Sequence, residues 1–165
     1  MPYMNNEQTK PKIWTKQQAL VKAESYCAYQ ERAQQEVRNK LYEWGLHSNE
    51  VEPIIAELIE QNFLNEERFS YAYTLGKFRI KGWGKIKIKQ ALRLKRISEK
   101  LIQKSLNKID DTDYIHNLES ILEKKSRTIA EKDPYKKQYK LTQYALSKGY
   151  EKDLIFDALK NKTLS

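Results

Sequence analysis

An all-α fold is predicted by three features of this 165-residue sequence. Gly and Pro number only five and four, while Lys, Glu, Gln, Leu and Ala, which suit a helix, are abundant. Apolar residues recur at helical spacing through segment after segment. The pattern also repeats along the chain. When Leu46, Ile97 and Tyr150 are superposed, at spacings of 51 and 53 residues, Leu41, Leu92 and Ala145 fall five positions before them and Ile55, Leu106 and Leu159 nine after. The expected architecture is three tandem three-helix repeats forming an elongated, curved array, because 39% hydrophobic content is low for a deep core. The expected divisions are a flexible tail over 1–14, repeat 1 over 15–63, repeat 2 over 64–110 and repeat 3 over 111–165.

The elements follow from local signals. Thr15 with Gln18 three residues on forms a capping box before Ala19, Leu20, Ala23, Tyr26 and Cys27. A break near Arg32–Gln34 precedes a helix through Val37, Leu41 and Trp44, which Gly45 ends. Asn49 with Glu52 starts the third helix, burying Val51, Ile54, Ile55, Leu58 and Ile59. Glu66 to Arg79 is a helix with Phe69, Ala72 and Tyr73 inward, interrupted by Gly82-Trp83-Gly84. The following Lys85-Ile86-Lys87-Ile88-Lys89 alternates with period two like a strand. It reads as helix all the same, because no breaker occurs before Arg96 and Ile88, Ala91 and Leu92 share a helical face. Ser98 caps a helix carrying Leu101, Ile102, Ser105, Leu106 and Ile109. Repeat 3 begins near Tyr114, restarts at Asp133-Pro134, where Pro occupies the first helical position, stops at Gly149 and closes with Leu154, Ile155, Ala158 and Leu159.

Charge is unevenly placed. The chain carries +9 overall, yet Lys77 to Lys108 alone holds twelve Lys and Arg against one acid, Glu99. Such a block points to a polyanion or an acidic protein surface. On a helix Lys85, Lys89, Arg93 and Arg96 line one face, a row of like charges that favours an anion nearby. The middle helices of repeats 1 and 3 carry fewer cations, Arg38 and Lys40 in one and Lys136, Lys137 and Lys140 in the other.

Little supports catalysis. Asp110, Asp111 and Asp113 suit a joint and helix cap better than a metal site, since no further Asp, Glu or His completes them at helical spacing. His47 and His116 are isolated, Cys27 is the single cysteine, and no Gly-rich phosphate loop occurs. No enzyme activity, cofactor or metal is expected. Without a leader, a long apolar run or a disulfide pair, the expected location is cytoplasmic.

Leu64-Asn65-Glu66-Glu67-Arg68-Phe69-Ser70, then Tyr73, Gly82-Trp83-Gly84, Ile88, Leu92 and Arg96-Ile97 together resemble the central module of the RecX family of bacterial recombinase regulators. The resemblance runs over about residues 19 to 160. Three positions depart from the family pattern: Ser70 replaces an alanine, Arg96 a glycine, and Ala33 a serine at the first helix break. The resemblance implies tandem three-helix repeats that bind a RecA-type recombinase filament on DNA, lie in its groove and restrain its ATPase and strand exchange. It places the chain in the regulation of DNA repair, recombination and the SOS response, with no chemistry of its own.

The expected partners are thus a RecA-type recombinase filament and single-stranded DNA or the DNA phosphate backbone, with no membrane, and a monomer is the expected form. The residues expected to contact them are Lys77, Arg79, Lys81, Trp83, Lys85, Lys89, Arg93 and Arg96. Trp83 has two readings, a ring that stacks on a base or a plug between modules, and the plug is preferred. Phe69 and Tyr73, one turn apart, are assigned to the core. Two other readings of the charge stay open: a DNA-binding protein acting without recombinase, and a helical scaffold for an acidic protein.

Overall fold

The computed structural model describes residues 14–161, so the expected tail lies, but for Trp14, outside the described residues. Among the described residues there are nine α-helices and no strand: α1 (Lys16–Tyr29), α2 (Gln34–Glu43), α3 (Ser48–Glu60), α4 (Glu66–Arg79), α5 (Lys85–Leu94), α6 (Glu99–Leu106), α7 (Asp111–Thr128), α8 (Pro134–Ser147) and α9 (Lys152–Asn161). The chain divides into two compact units, one up to Glu66 and one from Glu67.

In the first unit α1, α2 and α3 pack on one another around Ala19, Leu20, Ala23, Val37, Leu41, Leu46, Val51, Ile54 and Leu58. The capping box forms as expected, with the Gln18 amide donating to Thr15 Oγ1 at 3.2 Å and the Thr15 amide to Gln18 Oε1 at 3.1 Å. Ala33 offers no side-chain cap to α2. Glu36 compensates by accepting the Ala33 amide at 3.1 Å, and the Ala33 methyl is wholly buried. Arg38 spans from α2 to α3, donating to both oxygens of Glu52 at 2.6 and 3.2 Å. That pairing holds the Glu52 carboxyl below its ordinary range. The third helix starts at Ser48 with His47 as N-cap, slightly ahead of the expected Asn49, and no side chain caps it. Ile59, expected inward, is 43% exposed because it falls off the face of Val51, Ile54, Ile55 and Leu58.

The second unit contains α4 to α9. Here α5 packs on α6, and α7, α8 and α9 pack on one another. The alternating Lys-Ile stretch is helical: Ile88 and Leu92 are buried while Ile86 is 43% exposed. Side-chain caps are Ser98, which accepts the Leu101 amide at 3.3 Å, Asp110, which accepts that of Asp113 at 3.0 Å, and Asp133, which accepts that of Tyr135 at 2.9 Å. In α4 the inward residues are Phe69, Ser70, Thr74 and Phe78, whereas Ala72 is exposed and Tyr73 only half-buried. The expected face was rotated because a small Ser and Thr take core positions that hydropathy assigns to Ala and Tyr.

The superposed positions prove equivalent in backbone geometry. The amides of Leu46, Ile97 and Tyr150 reach back to the carbonyls of Leu41, Leu92 and Ala145 at 3.2, 3.1 and 3.2 Å. Each is preceded by a left-handed residue: Gly45 with φ 89°, Arg96 with φ 58° and Gly149 with φ 94°. The middle helix of every triplet therefore ends in the same Schellman-type turn. Arg96 keeps that turn although its Cβ disfavours it.

The Gly82-Trp83-Gly84 turn is fastened to the end of α8. Gly84 donates its amide to the Lys148 carbonyl at 2.7 Å and Ile86 to that of Gly149 at 3.0 Å. A Cβ on Gly84 would stand 2.4 Å from the Gly149 carbonyl, so two backbones meet there with nothing between them. Around this contact Tyr150 donates its hydroxyl to the Gly82 carbonyl at 3.1 Å and accepts from Asn117 at 2.6 Å. Tyr114 donates to Glu151 at 2.7 Å and accepts the Lys85 amide at 2.9 Å. The Tyr114 ring lies 5.0 Å from that of Tyr150 and 6.0 Å from that of Phe78. Burial pushes the Tyr150 hydroxyl up to about 12, and that of Tyr114 is raised by the same cause.

Two substitutions test these backbone assignments in denaturant melts. Arg96→Gly should stabilise the chain by about 0.5–1 kcal/mol, the relief of left-handed strain less the entropy glycine adds to the unfolded state. Gly84→Ala should destabilise it by about 1–3 kcal/mol, because the opposing Gly149 backbone has no flexible end to move aside.

Candidate nucleic-acid interface

The cations of the second unit sit on α4, the glycine turn, α5 and α6, and the structure sorts them by what they touch. Lys85 is turned toward α7: its ammonium lies 3.9 Å from Asp111 and 4.8 Å from the Tyr114 ring centroid. Its side chain is thus directed to α7 rather than outward along α5. Arg93 is clamped by Glu99, donating through Nε at 2.6 Å and Nη2 at 3.1 Å. The carboxyl is pulled below its ordinary range by that hydrogen bond. Lys104 likewise reaches Glu67 at 2.6 Å.

The expected row of Lys85, Lys89, Arg93 and Arg96 is therefore not one continuous cationic face. α5 stops at Leu94, Lys95 caps it, and Arg96 lies beyond the helix in the left-handed turn. Sequence spacing missed this because it treated Arg96 as helical, although its repeat equivalents Gly45 and Gly149 are helix terminators. Lys89 is half-buried within the row, and Arg79, Lys81 and Arg96 are exposed. Arg79 lines a shallow depression with Phe78, Asp113, His116, Asn117 and Ser120, where Asp113 supplies an acid of its own.

A second group gathers around two aromatic rings. Lys77, half-buried in α4, places its ammonium 4.8 Å from the Trp83 centroid and 5.4 Å from that of Tyr73. Lys87 stands 4.6 Å from Trp83, and Lys95 5.6 Å from Tyr73. Trp83 donates its amide to the Lys77 carbonyl at 3.0 Å, which fixes the turn over the end of α4. The ring is half-buried. The space where the turn meets α7 and α8 is filled by Tyr114 and Tyr150, leaving the lysines as the partners of the indole. Lys87 and Tyr73 were not among the expected contact residues. Tyr73 stands one helical turn before Lys77, a spacing that could have flagged the pair, whereas the approach of Lys87 to Trp83 needs the fold of the turn.

Among the described residues no group of three or more His, Cys, Asp and Glu could hold a metal ion, and no helix is long and apolar enough to cross a membrane. Asp110 is a helix cap and Asp111 the Lys85 partner. What remains is a surface of cations and half-exposed rings, suited to binding an anion that also presents flat apolar faces.

The family's own domain descriptions fit all three triplets: the first three-helix domain of RecX over residues 19–58, the second over 65–106 and the third over 111–159. This chain belongs to the RecX family. It is 36% identical over 124 residues to the Regulatory protein RecX of Clostridium perfringens, covering 74% of this chain and 58% of that one. With the protein of the same name from Clostridium tetani it shares 35% over 121 residues, 72% of this chain and 55% of the other. The chain thus spans little more than half the length of these RecX relatives. The crystal structure of RecX from Lactobacillus salivarius shares the fold with a TM-score of 0.80 at 24% identity, covering 91% of this chain and 97% of that one. RecX proteins are regulators by name, and the cations and rings around Tyr73 and Trp83 lie in the second RecX domain.

The Arg93–Glu99 pair gives a direct test of which cations are available. Glu99→Gln should release Arg93 and strengthen binding to a single-stranded oligonucleotide severalfold at low salt, with a steeper salt slope, as read by fluorescence anisotropy. The same release should occur in the wild type as pH falls through the lowered Glu99 pKa, because the pair's contribution exists only while the carboxyl is ionised.

Proposed function

We propose that this chain binds a RecA-type recombinase filament assembled on DNA and modulates it, in the direction of inhibiting ATP hydrolysis and strand exchange. The observation that carries the reading is the concentration of cations and half-exposed aromatics in the second domain of a RecX-family chain. Lys77, Arg79, Lys81, Lys89 and Arg96, with Trp83, form the contact surface toward DNA phosphate or an acidic recombinase face. Lys85 acts mainly inside the protein, and Arg93 contributes when Glu99 lets it go. The mechanism is steric and electrostatic. A basic module seated in the filament groove obstructs the second DNA strand or loosens contacts between recombinase subunits. The chain works as a cytoplasmic monomer without a cofactor, and its divisions follow the three helix triplets.

Adding the purified chain to the cognate recombinase on single-stranded DNA should suppress ATP hydrolysis at stoichiometric amounts. Replacing Lys77, Lys81 and Lys89 by Glu should abolish the effect, while circular dichroism shows the helices retained. Unchanged hydrolysis and strand exchange with the wild-type chain would sink the proposal. On bare single strands the regulator should bind weakly, with log K falling against log salt at a slope on the order of −3 if about four phosphates are engaged. Tight binding to bare DNA with no effect on the recombinase would favour a free-standing DNA-binding protein.

A further inference from the structure

The surface of α4 carries a hollow. Ala72, Tyr73, Gly76, Lys77, Ile80 and Lys81 line a depression of about 240 Å³. It is smaller than the clefts of roughly 300–1,000 Å³ that enclose whole small molecules. Gly76 leaves open space where a side chain would stand, and Ile80 is 81% exposed at the rim. Tyr73 forms one wall, and Lys77 connects it to Trp83 by lying within reach of both rings.

Two lysines, Lys77 and Lys87, approach the one indole, Lys87 also donating to the Ser147 carbonyl at 3.5 Å, and neither makes an ion pair among the described residues. Two ammonium groups drawn to one ring without an acid repel each other, so an incoming phosphate relieves them. Phosphate or an acidic protein surface needs only the cations. The apolar floor and the two half-exposed rings match a ligand with flat faces as well as negative charge. A duplex hides its base faces in the stack, whereas a single strand offers them. A lysine over an exposed ring gains less than a stacked base does, so the lysines can exchange the rings for phosphates as a base moves in.

We propose that the hollow of α4 walled by Tyr73, with the Trp83 ring beyond Lys77, receives an unstacked base of single-stranded nucleic acid, with Lys77, Lys81, Lys87 and Lys95 taking the flanking phosphates. This rests on the DNA-contact part of the function proposed above and names the chemistry of that contact. Gly76 is open because the base enters over it, and Ile80 packs on the base edge.

The test compares the full chain's affinity for a thymidine oligonucleotide with that for an abasic deoxyribose-phosphate oligomer of equal length, by fluorescence anisotropy across a salt series. The thymidine strand should bind about tenfold more tightly or better. The two salt slopes should match, because the phosphates are the same. Trp83→Leu and Tyr73→Leu should each lower the thymidine affinity toward the abasic value, and Trp83→Phe should keep the preference, with thermal melts confirming that each variant is folded. Equal binding of both oligomers by the wild-type chain overturns the base site and leaves the phosphate contact standing. Preference retained in a folded Trp83→Leu variant also overturns it, since packing alone would then suffice. Binding to neither oligomer overturns it as well, and the recombinase ATPase assay separately decides the reading on which it rests.

Discussion

The backbone contact between Gly84 and Gly149 is the constraint on which the basic surface depends. It fixes the start of α5 against the end of α8, and the hydrogen bonds from Gly84 and Ile86 set the direction in which α5 leaves the turn. Tyr114 and Tyr150 close the space around it with hydroxyls satisfied by Lys85, Glu151, Asn117 and Gly82. Because the turn is held from behind, Trp83 can stand on the other side with its ring toward the lysines. Rigid support of this kind lets a side chain keep one geometry.

The second consequence of that packing is a division of labour among like charges. A block of twelve cations suggests a uniform field, but the folded chain spends several on itself. Lys85 meets Asp111, Arg93 meets Glu99 and Lys104 meets Glu67. Exposed pairs of this kind add little to stability, commonly under about 1 kcal/mol. Their larger effect is on which cations have an acid beside them, and Lys77 and Lys87 at Trp83 make no ion pair among the described residues.

Much of the fold was legible because it rests on local chemistry repeated three times. The Thr15, Ser98, Asp110 and Asp133 caps, the Gly45 and Gly149 terminators and the equivalence of Leu46, Ile97 and Tyr150 all follow from short-range patterns that the backbone then obeys. The face of α4 was less legible, since Ser70 and Thr74 occupy the core and leave Tyr73 at the surface. The candidate site was visible in outline as a basic block beside a Gly-Trp-Gly turn. Its detail was hidden because Lys85 and Lys87 stand two positions apart yet face α7 and Trp83 respectively, and Lys85 meets Asp111 and Lys87 the Ser147 carbonyl, 26 and 60 residues further along the chain. The family resemblance correctly named the fold, while the partner surface remains a matter of side-chain placement.

Arg96 carries a lesson for anyone who would redesign this protein. At the two equivalent helix ends the chain uses glycine, and a consensus-minded engineer seeking heat resistance would write glycine at the third. That choice would make the backbone more comfortable and delete a guanidinium from the exposed edge of the basic face. A strained turn that holds a charge where neither repeat neighbour has one is a position where optimisation for shelf life and optimisation for grip pull in opposite directions.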